Sequence, residues 1–234
     1  LRVRVDVAAD VPFLDWRDVH GPARAVLYGL LEDQDPQLAR SLHDKGWQGQ
    51  SLRPLGMTSP QFRGTPRKKD VYPTSPDGSI WFGSPVPQIA STLIAALAKR
   101  SEIVWGAARL RIRGFELEVP EPVVADESAL VELETRTPVV LKHEDRYVLP
   151  GDGPYLDRLR HNLAHKADVL GLPAPREVRL LEAGPRRRFS VRGAPRIGAR
   201  VRIGLVADPR FVDALRSWGL GLGLDTVQGF GWIR

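Results

Sequence analysis

Two side chains early in the chain are of types that move protons. Tyr28 sits inside V-L-Y-G-L-L, and His43 opens the stretch H-D-K-G-W-Q-G-Q. An imidazole titrates near neutrality and can accept or donate a proton there. At the junction of a short helix and a glycine-broken loop, the His43 side chain can face a substrate. The same position suits a histidine that merely interacts with the helix dipole, and both readings stay open. Tyr28, in its apolar setting, reads first as a core residue. His161 and His165 are spaced i, i+4, as zinc ligands can be, but no H-E-x-x-H surrounds them and no third ligand follows. They read as solvated, as does His143 at a hairpin tip. Ser/His/Asp and Cys/His nucleophile patterns are absent, no carboxylate cluster resembles a two-metal site, and no metal is expected.

Other residues could hold an anion. Arg186, Arg187 and Arg188 follow Gly184-Pro185, and Arg63 to Lys69 (R-G-T-P-R-K-K) includes Arg67 and Lys68. Either run could meet phosphates, or simply be solvated. Near the end, G-L-G-L-G-L-D-T-V-Q-G-F-G places Gly219, Gly221, Gly223, Gly229 and Gly231 between a helix and a terminal strand expected over 229–233. Such a cluster lets backbone N–H groups turn toward an anion, or lets a bulged loop pack closely. No G-K-[ST] accompanies it, and the glycines do not lead from a strand into a helix, so a nucleotide-binding fingerprint is excluded.

The elements that must position these groups follow from periodicity. The 234 residues are 42% hydrophobic and 26% charged, an ordinary globular composition. Cysteine is absent, which excludes disulfides and thiolate metal sites and makes a cytoplasmic location the expectation. No apolar run reaches the roughly 18–20 residues of a membrane span. Lys+Arg number 34 against 28 Asp+Glu, and most of the cations are arginine, a balance that points toward nucleic acid. Residues 1–7 alternate as a half-buried strand, 23–31 have helical spacing, and Asp35-Pro36 caps a second short helix. Residues 63–76 read as an exposed loop, 79–84 as a strand, 87–100 as a helix, and 103–119 as one long strand kinked near Gly106 or Gly114. After linker-like residues 118–127 the order repeats: strands at 129–135 and 138–149, a helix at 155–170, strands at 176–183, 187–191 and 200–206, and a helix from Asp208. Each half thus approximates β-α-β-β-α-β. The expected fold class is α+β, with two tandem ferredoxin-like (RRM-like) domains over 1–120 and 121–234.

Taken together, these positions resemble the CRISPR-associated endoribonucleases that cut precursor CRISPR RNA within its repeats (the Cas-six family). The family's L-I-Y-like helix end matches Val26-Leu27-Tyr28, and its L-H matches Leu42-His43. Its strand–V-P-x-I-A–helix segment matches residues 80–90, and its C-terminal G-x-G-(x)5-G-F-G matches Gly221-Leu222-Gly223 through Gly229-Phe230-Gly231. The resemblance implies a cofactor-free, metal-independent endoribonuclease in which a ribose 2′-hydroxyl attacks the adjacent phosphate. The products carry 5′-hydroxyl and 2′,3′-cyclic phosphate ends. It maps the catalytic histidine to His43 and a helix tyrosine to Tyr28, with His20 as a further candidate. The lysine common shortly after the histidine is replaced by Gly49 or Gln50, so Lys45 or Arg53 would supply the charge. Where relatives carry a base before G-F-G, this chain has Asp225. Arg63, Arg67, Lys68, Lys69, Arg186–Arg188 and the loop glycines (Gly221, Gly223, Gly229, Gly231) would contact CRISPR repeat RNA, the glycines through backbone N–H groups. Other proteins of a CRISPR effector complex, or a second copy of the chain, are open as partners. Two alternatives stand beside this: a catalytically inactive RNA-binding subunit of such a complex, and a metabolic α+β enzyme with incidental basic charge.

Overall fold

The computed structural model describes residues 1–65, 71–119, 129–218 and 223–234. The basic residues Arg67, Lys68 and Lys69, the glycines Gly219 and Gly221, and the expected boundary at 120/121 lie outside the described residues.

The first half runs β1 (Arg2–Ala9), β2 (Phe13–Asp15), α1 (Ala23–Gln34), α2 (Pro36–Asp44), β3 (Gly56–Met57), β4 (Gln61–Phe62), β5 (Val71–Pro73), β6 (Gly78–Gly83), α3 (Pro87–Ala98), β7 (Glu102–Trp105) and β8 (Ala108–Glu118). β1 alternates as its residue types require. Val3, Val5 and Val7 are buried in one core with Leu27, Leu31, Ile80, Phe82, Leu93 and Leu110, while Arg4 and Asp6 pair with each other on the other face. The antiparallel sheet has the order β3-β6-β1-β8-β7, with β4 also on β6. Strands β8, β1, β6 and β3 therefore have the ferredoxin-like arrangement, with helices in the two crossovers.

The helical hairpin α1–α2 is set by one residue. Asp35 leaves helical geometry at φ −146°, ending α1, and its side chain accepts the Leu38 N–H at 2.9 Å to open α2 over Pro36. The expectation of one long strand over 103–119 is corrected. Gly106 takes φ +64°, a left-handed conformation that folds the segment into the β7–β8 hairpin. The exposed loop expected over 63–76 also has structure, since β5 pairs with β2.

The second half runs β9 (Val131–Glu134), β10 (Leu141–His143), β11 (Arg146–Val148), α4 (Tyr155–Val169), β12 (Glu177–Ala183), β13 (Arg187–Val191), β14 (Ala194–Gly198), β15 (Val201–Val206) and α5 (Pro209–Trp218). Its sheet has the order β12-β15-β9. The terminal strand expected over 229–233 is reduced to one bridge, Ile233 to Thr135. Gly229 and Gly231, at φ +87° and +72°, take the chain out of extended geometry before it reaches the sheet. That bridge occupies the fourth-strand position, so the ferredoxin-like order recurs and the fold is a tandem of two such units. Residues 187–191 do not follow β12 into the sheet; β13 and β14 form a separate ribbon.

Two cores result, one drawn from residues 3–110 and one from 133–233. Between them lies a third cluster of Trp81, Trp218 and Trp232, all buried. Arg136 lies over the Trp81 ring at 4.2 Å, and Arg2 over Trp232 at 5.0 Å.

Candidate active site and nucleic-acid interface

The α1–α2 hairpin brings Tyr28 and His43 together. Their rings meet edge to face, with centroids 5.4 Å apart at 80°. His43 is more than half exposed, and its Nδ1 lies 3.0 Å from Asp44 Oδ1. A carboxylate there favours the tautomer that carries the proton on Nδ1, which leaves the Nε2 lone pair as the basic site. Arg53 closes the end of α2: Nε donates to the Leu42 carbonyl at 2.8 Å and Nη2 to the His43 carbonyl at 2.7 Å. These carbonyls have no partners within the helix, so a guanidinium suits them in both hydrogen bonding and charge.

The Tyr28 hydroxyl is buried near the Arg53 guanidinium. Burial raises its pKa, and the nearby Arg53 and Arg24 guanidinium groups partly offset this. Arg24 sits over the same ring at 5.5 Å. Tyr28 is therefore a neutral phenol at physiological pH. Beside this group a cavity of about 490 Å³ is lined by Asp44, Lys45, Gly49, Ser51 and Arg53. The structure thus assembles an imidazole, a phenol and two cations, Lys45 and Arg53, around one helix end.

The glycine segment behaves differently from expectation. The Gly223 N–H donates to Asn162 Oδ1 at 3.1 Å, the Gly229 N–H to the Thr226 carbonyl at 3.2 Å, and the Gly231 N–H to the Pro138 carbonyl at 2.8 Å. These three donors are engaged inside the chain. The three glycines shape the segment rather than offer donors. Asp225 is also accounted for, because its carboxylate accepts from Arg196 Nε at 2.6 Å.

Sequence reasoning missed Asn162 and Lys166. Lys166 is fully buried on α4, donates to the Gly223 carbonyl at 3.0 Å and lies 5.3 Å from the Trp218 ring centroid. Burial lowers its pKa to about 7. The signal was in the helical periodicity: Leu159, Asn162, Leu163, Lys166 and Ala167 share the buried stripe, and a polar residue there needs a partner.

His20 does not join Tyr28 and His43. It is buried, and its Nδ1 donates to the Gln228 carbonyl at 2.8 Å. Its ring stacks on Phe230 at 4.2 Å and meets the edge of Phe189 at 4.6 Å. Burial lowers its pKa from the ordinary 6.5 to about 4. The unfolded chain therefore takes up a proton between pH 6.5 and 4 that the folded chain resists. Stability is complete above pH 6.5 and falls through this window by on the order of 3 kcal/mol. Urea titrations at pH 7 and 4.5 should show a smaller acid loss for His20→Gln than for wild type; equal losses would contradict the assignment.

The remaining candidates separate. Arg186, Arg187 and Arg188 are exposed, the latter two on the β13 ribbon. Arg187 lines a cavity of about 530 Å³ with Arg136, Arg200, Trp16, His20 and Phe189. Arg63 is held by Asp77 through an Nε–Oδ2 contact of 2.8 Å. His161 and His165 face outward or lie half-buried on α4, and among the described residues no three His, Asp or Glu side chains cluster as a metal site.

No family model matches the chain, and no curated protein does. Solved structures do. A RAMP protein described as binding different RNA substrates superposes with a TM-score of 0.79 at 18% identity, covering 100% of this chain and 98% of its own. The product of a Cas6-related gene from Pyrococcus furiosus gives 0.77 at 17% identity, with 100% and 97% covered. A CRISPR-associated protein Cas6 gives 0.75 at 16% identity, with 100% and 98% covered. From end to end, this chain has the fold of the Cas6 and RAMP proteins.

Proposed function

We propose that this chain binds CRISPR repeat RNA and cuts it by attack of a 2′-hydroxyl on the adjacent phosphate. The observation that carries the reading is the His43–Tyr28 pair, joined by Arg53 and Lys45 at the end of α2, within a fold shared with Cas6 proteins. His43 Nε2, with Nδ1 held by Asp44, takes the proton of the 2′-hydroxyl. The new bond from the 2′-oxygen to phosphorus forms as the bond to the 5′-oxygen breaks. The departing 5′-oxygen takes a proton from the Lys45 ammonium, leaving 5′-hydroxyl and 2′,3′-cyclic phosphate ends. Arg53 contributes positive charge toward the phosphorane, and the Tyr28 ring fixes the imidazole from its edge.

A second reading, RNA binding without cleavage, is favoured by one observation. The fold is similar to that of a RAMP protein described as binding different RNA substrates. Incubating the protein with its cognate repeat RNA in EDTA separates the two. Cleavage at a single bond, giving a 2′,3′-cyclic phosphate, is the expected result. Intact RNA that remains bound would transfer the case to the second reading, and absence of binding at moderate salt would remove both.

A further inference from the structure

The 530 Å³ cavity is lined by His20, and neither Tyr28 nor His43 reaches it. Its volume falls within the roughly 300–1,000 Å³ of small-ligand sites. Both halves of the chain build it. Trp16, His20 and Tyr72 come from the first half, and Arg136, Arg187, Phe189 and Arg200 from the second. Trp16 stacks on Phe189 with centroids 5.7 Å apart at 13°, and meets Tyr72 at 6.2 Å. It nevertheless remains 40% exposed. Among the described residues neither Asp nor Glu lines the cavity, whereas three arginines do.

Aromatic rings beside guanidinium groups such as those of Arg187 and Arg200 are complementary to a flat ring carried on an anionic backbone. A purely apolar ligand would leave the arginines unused, and a free anion would leave the rings unused. We propose that this cavity receives the base of one unpaired ribonucleotide, stacked on the Trp16–Phe189 pair, with its phosphates on Arg187 and Arg200. The inference rests on the RNA-binding reading above and adds a site apart from the His43 cluster. Unpaired bases stack on aromatic side chains in this manner, and single-stranded binding depends on such platforms.

The test uses the full chain and a six-nucleotide single-stranded oligoribonucleotide of mixed sequence carrying one 4-thiouridine. Irradiation should cross-link the base to a peptide containing Trp16, Tyr72 or Phe189. Trp16→Ala should weaken affinity for the same oligonucleotide by about five- to hundred-fold. Trp16→Phe should restore most of it, which separates stacking from damage to the fold, and Arg187→Ala should reduce the salt dependence of binding. Wild-type affinity in Trp16→Ala, or cross-links confined to other peptides while binding persists, would overturn the cavity assignment and leave the RNA reading standing. If wild type does not bind the oligonucleotide or repeat RNA, both fall.

Discussion

Substituting His43 with alanine should lower the single-turnover cleavage rate of repeat RNA by about 10²- to 10⁴-fold, the usual contribution of a positioned acid or base. RNA affinity should change little. The side chain is exposed, its polar contact is with Asp44, and its ring meets only the edge of Tyr28. Arg53 holds the main-chain carbonyl of residue 43 rather than the imidazole, so the helix end survives the substitution. Stability should accordingly stay within roughly 0.5 kcal/mol. The discriminating measurement is the rate at saturating protein, where weakened binding no longer counts. Cleavage at the wild-type rate would remove His43 from the mechanism. A fall in affinity matching the fall in rate would make it a binding residue instead.

The second large effect belongs to Gly229. Its φ of +87° already disfavours any side chain, and an added Cβ would lie 2.8 Å from the Ser59 nitrogen and 3.1 Å from His20 Nδ1. The first obstacle is backbone and cannot rotate away. The second is the ring whose Nδ1 proton is bound by Gln228. Backbone strain of about 1–3 kcal/mol and overpacking of a similar size add where both apply. Gly229→Ala should therefore lose on the order of 2–5 kcal/mol, seen as a fall of roughly 5–15 °C in thermal midpoint for a chain of this length. Gly153→Ala is the control, because an added Cβ there meets nothing within 4 Å. A Gly229→Ala midpoint indistinguishable from that of the control would show that the junction between Ser59 and the glycine segment is loose.

Much of the scaffold was legible because its determinants are local. The valines of β1, the Asp35-Pro36 cap and the apolar face of α3 each lie within a few residues of what they specify. The pairing of Tyr28 with His43 was legible in part, since both flank one helical turn-around. What escaped depends on distant partners. Nothing near His20 indicates that its ring is stacked on Phe230 and bonded to Gln228. The second strand of the β7–β8 hairpin continues the apolar alternation of the first, and only the left-handed conformation at Gly106 divides them. Gly229 and Gly231 were correctly singled out as unusual, but glycine composition alone does not distinguish amides aimed outward from amides consumed within. Lys166 was overlooked because its charge suggested solvent, whereas its position on α4 placed it among leucines.

The His20–Gln228 contact has a kinetic consequence. It joins residues 208 apart in sequence, whereas Tyr28 and His43 are brought together by a single helical hairpin. Loop-closure entropy must be met before such distant contacts add stability. Each sheet with its helices is built from nearer segments than the aromatic junction between them. A folding intermediate with both sheets complete would already carry the imidazole–phenol pair yet lack the cavity built from both halves. The groups assigned above to cleavage thus depend on one local hairpin, and the cavity assigned to a base depends on contacts between the two halves.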